Sequence, residues 1–165
     1  MSEQQLLIMH LGSVSISLLV LWVTWKRVEV GRLLLVLLFL WASYINSKTV
    51  LSSPLDYLDY AHYTWSNWYR EFILGYFAAH TKPLVLMIAG GQFIIAVLLS
   101  TKNLLVKMGA WGGIVFFLSI IPLGIASGFP TTLILAVAAY RITRHNFPHH
   151  LIQVIGNWVS KPQRS

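Results

Sequence analysis

The stretch MGAWGGIVFFLSIIPLGIA, Met108–Ala126, runs for nineteen residues without a charge. As a helix it spans about 28 Å, close to the ~30 Å hydrocarbon core of a bilayer. Composition agrees with that reading. Hydrophobic residues make up 56% of the 165-residue chain, charged residues 10%, and the mean hydropathy is +0.67. A soluble domain carries roughly a quarter charged residues, so lipid must replace the missing polar surface. The apolar residues form long blocks rather than alternating short runs, which argues against a β-barrel. The fold class is therefore all-α, a multi-pass transmembrane helix bundle.

Working outward, Leu84–Ser100 precedes this stretch across a short turn bracketed by Lys102 and Lys107. Upstream lie Leu6–Trp25 and the Leu-rich Leu33–Ser47, the latter barely long enough to cross. Downstream, Ser127-Gly128-Phe129-Pro130 breaks the chain before a short apolar run, 131–143. The expected spans are thus about 6–25, 33–47, 84–100, 108–126 and 131–143. The fifth reaches only ~20 Å and must tilt, thin the bilayer or snorkel through Arg141. MSEQQ has no basic residue before its apolar run, so the first helix reads as retained rather than cleaved.

Residues 48–83 form the longest stretch without a span, and function is sought there first. Within it, Trp65, Trp68, Tyr69, Phe72, Ile73 and Tyr76 recur at helical spacing, which predicts an interfacial helix over about 62–79 with all six on one face. Residues 148–160 read as an amphipathic tail, with Leu151, Ile152, Ile155, Trp158 and Val159 opposite His149, Gln153 and Asn157.

The +7 net charge raises the question of nucleic acid. Its basic residues sit at helix ends instead of in one patch, so they read as topology signals and no nucleic-acid partner is expected. With the N-terminus outside, nine basic residues fall inside (Lys26, Arg27, Arg32, Lys102, Lys107, Arg141, Arg144, Lys161, Arg164) and three outside (Lys48, Arg70, Lys82). That places the C-terminus in the cytoplasm, with the bacterial inner membrane as the expected location. There is no cysteine, which excludes disulfides, thiolate nucleophiles and Cys-ligated metals. Walker, HExxH, GxSxG and dinucleotide motifs are absent as well.

The run from Arg32-Leu33-Leu34-Leu35 through Trp41-Ala42, the span IAGGQFIIAVLL and the stretch KMGAWGGIVFFLSIIPLGIASGFP together resemble the DoxX-like membrane proteins. The resemblance covers about Arg32–Thr143. It implies a four-helix core to which the first helix and the tail are additions. The family includes DoxD-type subunits associated with quinone-linked oxidation of sulfur compounds, so it also implies a redox-associated subunit handling a quinone-like lipophilic molecule. Many relatives carry an acidic residue where this chain has Gln92.

Gln92, polar within a span, can hydrogen-bond either a quinone carbonyl or a neighbouring helix. Arg70, Glu71 and His80, with Trp65, Trp68 and Tyr69 as flat walls, read either as a ligand-binding head-group site or as an interfacial anchor of aromatic and snorkelling groups. Asp56, Asp59 and His62 share a helical face, but solvated loop charges are the plainer account, and no metal site is assigned. His10 lacks a second histidine at its depth for haem ligation. Gly109, Gly113, Gly124, Gly128, Gly90 and Gly91 supply close helix packing, and Pro122 predicts a kink. Besides the bilayer, the glycine faces allow another membrane subunit or a homodimer as partner. A non-catalytic scaffold and a small transporter are the rival functions. Whether the chain is an enzyme is left open by its residues.

Overall fold

A computed structural model describes residues 3–160 and is all-helical, with no strand among the described residues. The principal helices are α1 (Glu3–Lys26), α2 (Val28–Ser52), α5 (Thr81–Ser100), α6 (Leu104–Ile120) and α7 (Thr131–Thr143). Two short helices, α3 (Tyr60–Tyr63) and α4 (Asn67–Phe72), lie between α2 and α5, and α8 (Leu151–Ser160) follows α7. Among the described residues, three helices are long and apolar enough to cross a membrane: Val28–Ser52, Thr81–Ser100 and Leu104–Ile125. The chain is an integral membrane helical protein.

Helix α2 begins and ends about five residues beyond the expected 33–47. Its added turns carry Glu29, Arg32 and Lys48, charges that a bare bilayer would reject. Arg32 is tolerated because backbone carbonyls surround it. At the other end Lys48 is exposed, while Asn46 is covered by α5 and the segment after Ser53.

The α2 and α5 pair forms the centre of the bundle, and α6 and α7 complete a core around Leu35, Phe39, Ile95, Leu99, Ala110 and Ile142. Close approach does the packing work that the hydrophobic effect cannot do in lipid. A Cβ on Gly109 would lie 2.9 Å from both Leu98 Cβ and Leu99 N, and one on Gly113 would lie 3.2 Å from the Phe39 ring. By contrast, a Cβ on Gly90 or Gly91 would meet nothing within 4 Å. Helix α1 lies against α2 and α7, and Gly31 lets the α1–α2 turn close on Thr24. A smaller cluster of Val50, Ala61, Ile73, Phe77 and Val85 fills the opposite end of the bundle.

The interfacial helix expected over 62–79 is interrupted. Thr64 is extended, α4 starts only at Asn67 with Ser66 as its N-cap, and Ile73–Phe77 is a π-helical turn. The interruption has a partner on α6. Past Ile120 that helix tightens into a 3₁₀ turn, Ile121–Ser127, where Pro122 lacks an N–H and Gly124 turns to φ 72°. The carbonyls so freed are taken up by the segment between α2 and α5. The Thr64 hydroxyl and Trp65 N–H donate to the Pro122 carbonyl at 2.7 and 3.1 Å, and the Tyr69 hydroxyl donates to that of Ser119 at 2.6 Å. Gly124 is required twice over, by its positive φ and because a Cβ would lie 2.5 Å from the Tyr63 carbonyl.

Candidate functional site

Helices α2 and α5 run antiparallel: Arg32 meets Leu99 at one end, and Val50 packs near Val85 at the other. Between these ends the facing surfaces carry polar groups. The Ser43 hydroxyl donates to the Ala89 carbonyl at 2.8 Å, and one turn further on Asn46 Nδ2 donates to Gln92 Oε1 at 2.9 Å. Tyr57, from the 3₁₀ turn Pro54–Asp59, donates its hydroxyl to Asn46 Oδ1 at 3.0 Å. The result is a chain, Tyr57 to Asn46 to Gln92, leading from the bundle end to mid-span.

Gln92 is 3% exposed and sits in the middle of α5. Its oxygen is occupied by Asn46, while its amide nitrogen makes no hydrogen bond to another described residue. An amide N–H pair in that position can donate to an acceptor that reaches it. Above it, Ile45, Asn46, Thr49, Asp56, Tyr57 and Tyr60 line a polar groove. Burial raises the ionisation of Tyr57 and Tyr60 above the ordinary phenol value. For Tyr57 the neighbouring Tyr60 and Asp56 add to the rise, and a Thr49 hydrogen bond opposes it. Both phenols therefore stay neutral hydrogen-bonding groups at physiological pH.

The other expected site residues are spread along the segment between α2 and α5. His80 caps the start of α5, stacks on Tyr76 with ring centroids 4.4 Å apart, and meets the Tyr76 carbonyl through Nδ1 at 3.0 Å. Gln92 lies twelve residues further on, about 18 Å along the helix axis. Those two side chains do not share a head-group pocket. Arg70 Nε donates to the Ala61 carbonyl at 3.1 Å, which ties α4 to α3. Glu71 is exposed. Trp68 is exposed and stacks parallel to Phe72 at 5.8 Å, while Tyr69 and Trp65 turn toward the kink, Trp65 with its ring edge-on to Phe129 at 4.9 Å. The expected stripe is thus divided between an outward ring pair and a brace for α6. Asp56, Asp59 and His62 form no cluster of three metal-ligating groups among the described residues.

Sequence reasoning missed Asn46, Tyr57 and the role of Arg32. Asn46 carries a readable signal, a second amide within an apolar helix; nothing local marks Tyr57, whose partner lies eleven residues back on another element.

Arg32 is fully buried. Its Nε donates to the Leu99 carbonyl at 2.6 Å and its terminal nitrogens to the Thr101 carbonyl, Glu29 (3.1 Å) and the His149 carbonyl (3.4 Å), with the Phe147 ring 4.9 Å away. A cation is thus set against the last carbonyls of α5, where the helix dipole favours it. The Asn103 N–H adds a 2.7 Å bond to the Phe147 carbonyl, and Arg141 lies over Trp25 at 5.4 Å. These contacts gather the α1–α2 turn, the α5–α6 turn and the approach to α8 at one basic end of the bundle. No family model, curated protein or solved structure matches the chain.

Proposed function

We propose that this chain is a DoxX-like, redox-associated membrane protein that handles a quinone-like lipophilic molecule, with the ring held near Gln92. The observation that carries the reading is the buried Gln92 side chain, whose oxygen is fixed by Asn46 while its N–H donors make no hydrogen bond to another described residue. A quinone carbonyl is an acceptor of suitable chemistry, and mid-span depth suits a ligand that arrives through lipid. In this reading α1 and α7 also cross, giving five spans. The Lys- and Arg-rich end around Arg32 faces the cytoplasm of a bacterial inner membrane, and the N-terminus and segment 53–80 face outward.

Mass spectrometry of lipophiles that co-purify in mild detergent tests the proposal. The expected result is a stoichiometric quinone in the wild type that is lost in Gln92→Ala and Asn46→Ala and retained in His80→Ala. No quinone in any of them would discard the reading. A non-catalytic scaffold is the second reading, favoured by the Gly90–Gly91 surface that internal packing leaves open. It expects a stable protein partner or a second copy on that face and no bound ring compound.

A further inference from the structure

We propose that the groove lined by Ile45, Asn46, Thr49, Asp56, Tyr57 and Tyr60 binds a primary ammonium group. This goes beyond the quinone reading and does not depend on it.

The groove holds one carboxylate among several hydroxyl and amide groups. One of the two Asn46 amide N–H groups is used on Gln92, and the Tyr57 hydroxyl proton is used on Asn46. The acceptors that line the groove are the Asp56 carboxylate and the oxygens of the Tyr57 and Thr49 hydroxyls. No Lys or Arg lines it, and the ion pair formed among the described residues is Arg32–Glu29, so Asp56 has no counter-ion there. Tyr57 and Tyr60 stack with centroids 6.2 Å apart and planes inclined by 20°. Both residues line the groove, and an aromatic face attracts a cation within ~6 Å of its centroid. A primary ammonium brings three N–H donors and one positive charge, which answers each of these features. A quaternary ammonium answers the charge and the ring faces but brings no N–H for the carboxylate and hydroxyl oxygens.

Depth points to where such a group comes from. Asn46 and Thr49 precede the end of α2 at Ser52 by six and three residues, so the groove lies roughly 5–9 Å below the helix end, at head-group level. The ammonium can belong to an ethanolamine phospholipid or to a free amine.

The test uses the intact protein drawn from vesicles of mixed phosphatidylethanolamine, phosphatidylcholine and phosphatidylglycerol, with retained lipid read by native mass spectrometry. A second arm titrates ethanolamine into protein in lipid-free detergent micelles and follows saturation-transfer NMR. Wild type is expected to favour a primary ammonium in one arm or both by about ten-fold over its quaternary counterpart. Preference in the vesicle arm assigns the site to a lipid head group, and a signal only with ethanolamine assigns it to a soluble amine. Asp56→Asn, an exposed and nearly isosteric change, should abolish the preference while leaving the thermal unfolding midpoint unmoved; Tyr60→Leu should weaken it. Equal retention of the three lipids with no ethanolamine signal overturns the proposal, as does a preference that survives Asp56→Asn. Quinone retention scored in the same variants should be unchanged by Asp56→Asn, which separates this site from the one at Gln92.

Discussion

At the scale of single residues, the basic end of the bundle depends on one guanidinium. Arg32 is surrounded by three carbonyls from two separate parts of the chain, so its planar fork of donors matters as much as its charge. Arg32→Lys should therefore fail to restore what Arg32→Ala removes, and each should lower unfolding free energy by about 3–5 kcal/mol, read from denaturation in detergent. The phenols of the polar groove give a second residue-scale prediction. Folded Tyr57 and Tyr60 ionise above the ordinary phenol value, so their contribution to stability is complete below about pH 10 and is lost as pH rises through their folded values. Phenolate absorbance during an alkaline titration should show two late tyrosines, one of them missing in Tyr57→Phe. Replacing Asn46 with Ala strands the Gln92 oxygen and should cost about 1–3 kcal/mol.

At the scale of elements, the glycines divide into two kinds. Gly109→Ala should destabilise by about 1–3 kcal/mol because its new methyl meets α5 backbone, whereas Gly90→Ala should be neutral or slightly stabilising by helix propensity. Thermal unfolding of the two variants side by side checks this. Helix spacing alone lists both glycines as packing positions, since periodicity reports which residues share a face and not what lies opposite. The same limit explains the broken interfacial helix. The pattern Trp65 to Tyr76 is helical, but the carbonyls left free by Pro122 and Ser119 form a competing set of acceptors, and Thr64, Trp65 and Tyr69 go to them. Local propensity was overridden by a contact 50 or more residues away.

At the scale of the molecule, composition and apolar block length suffice for a helical membrane protein, because those properties are sums over many residues. The site was legible only in part. Gln92 declares itself as an amide in an apolar run, but its partners Asn46 and Tyr57 come from elements whose proximity no local pattern encodes. The proposed five-span arrangement makes a prediction that the absence of cysteine renders simple to check. A single cysteine introduced at Leu55 should react with a membrane-impermeant maleimide on intact cells, and one at Lys102 only after permeabilisation. Equal labelling at both positions would reverse or dissolve the proposed orientation.

The Arg32 cluster also constrains how the protein is made. Arg32 enters the bilayer with the second helix, yet its carbonyl partners at Leu99 and His149 follow 67 and 117 residues later in synthesis. Through that interval the guanidinium has Glu29, one turn back in its own helix, but none of its carbonyl partners. The nascent chain must keep this helix beside the insertion machinery, or close to the aqueous face, until the segment after α7 has left the ribosome. Final assembly is thereby coupled to near-completion of translation, and chains released before Phe147 should be cleared by membrane proteases.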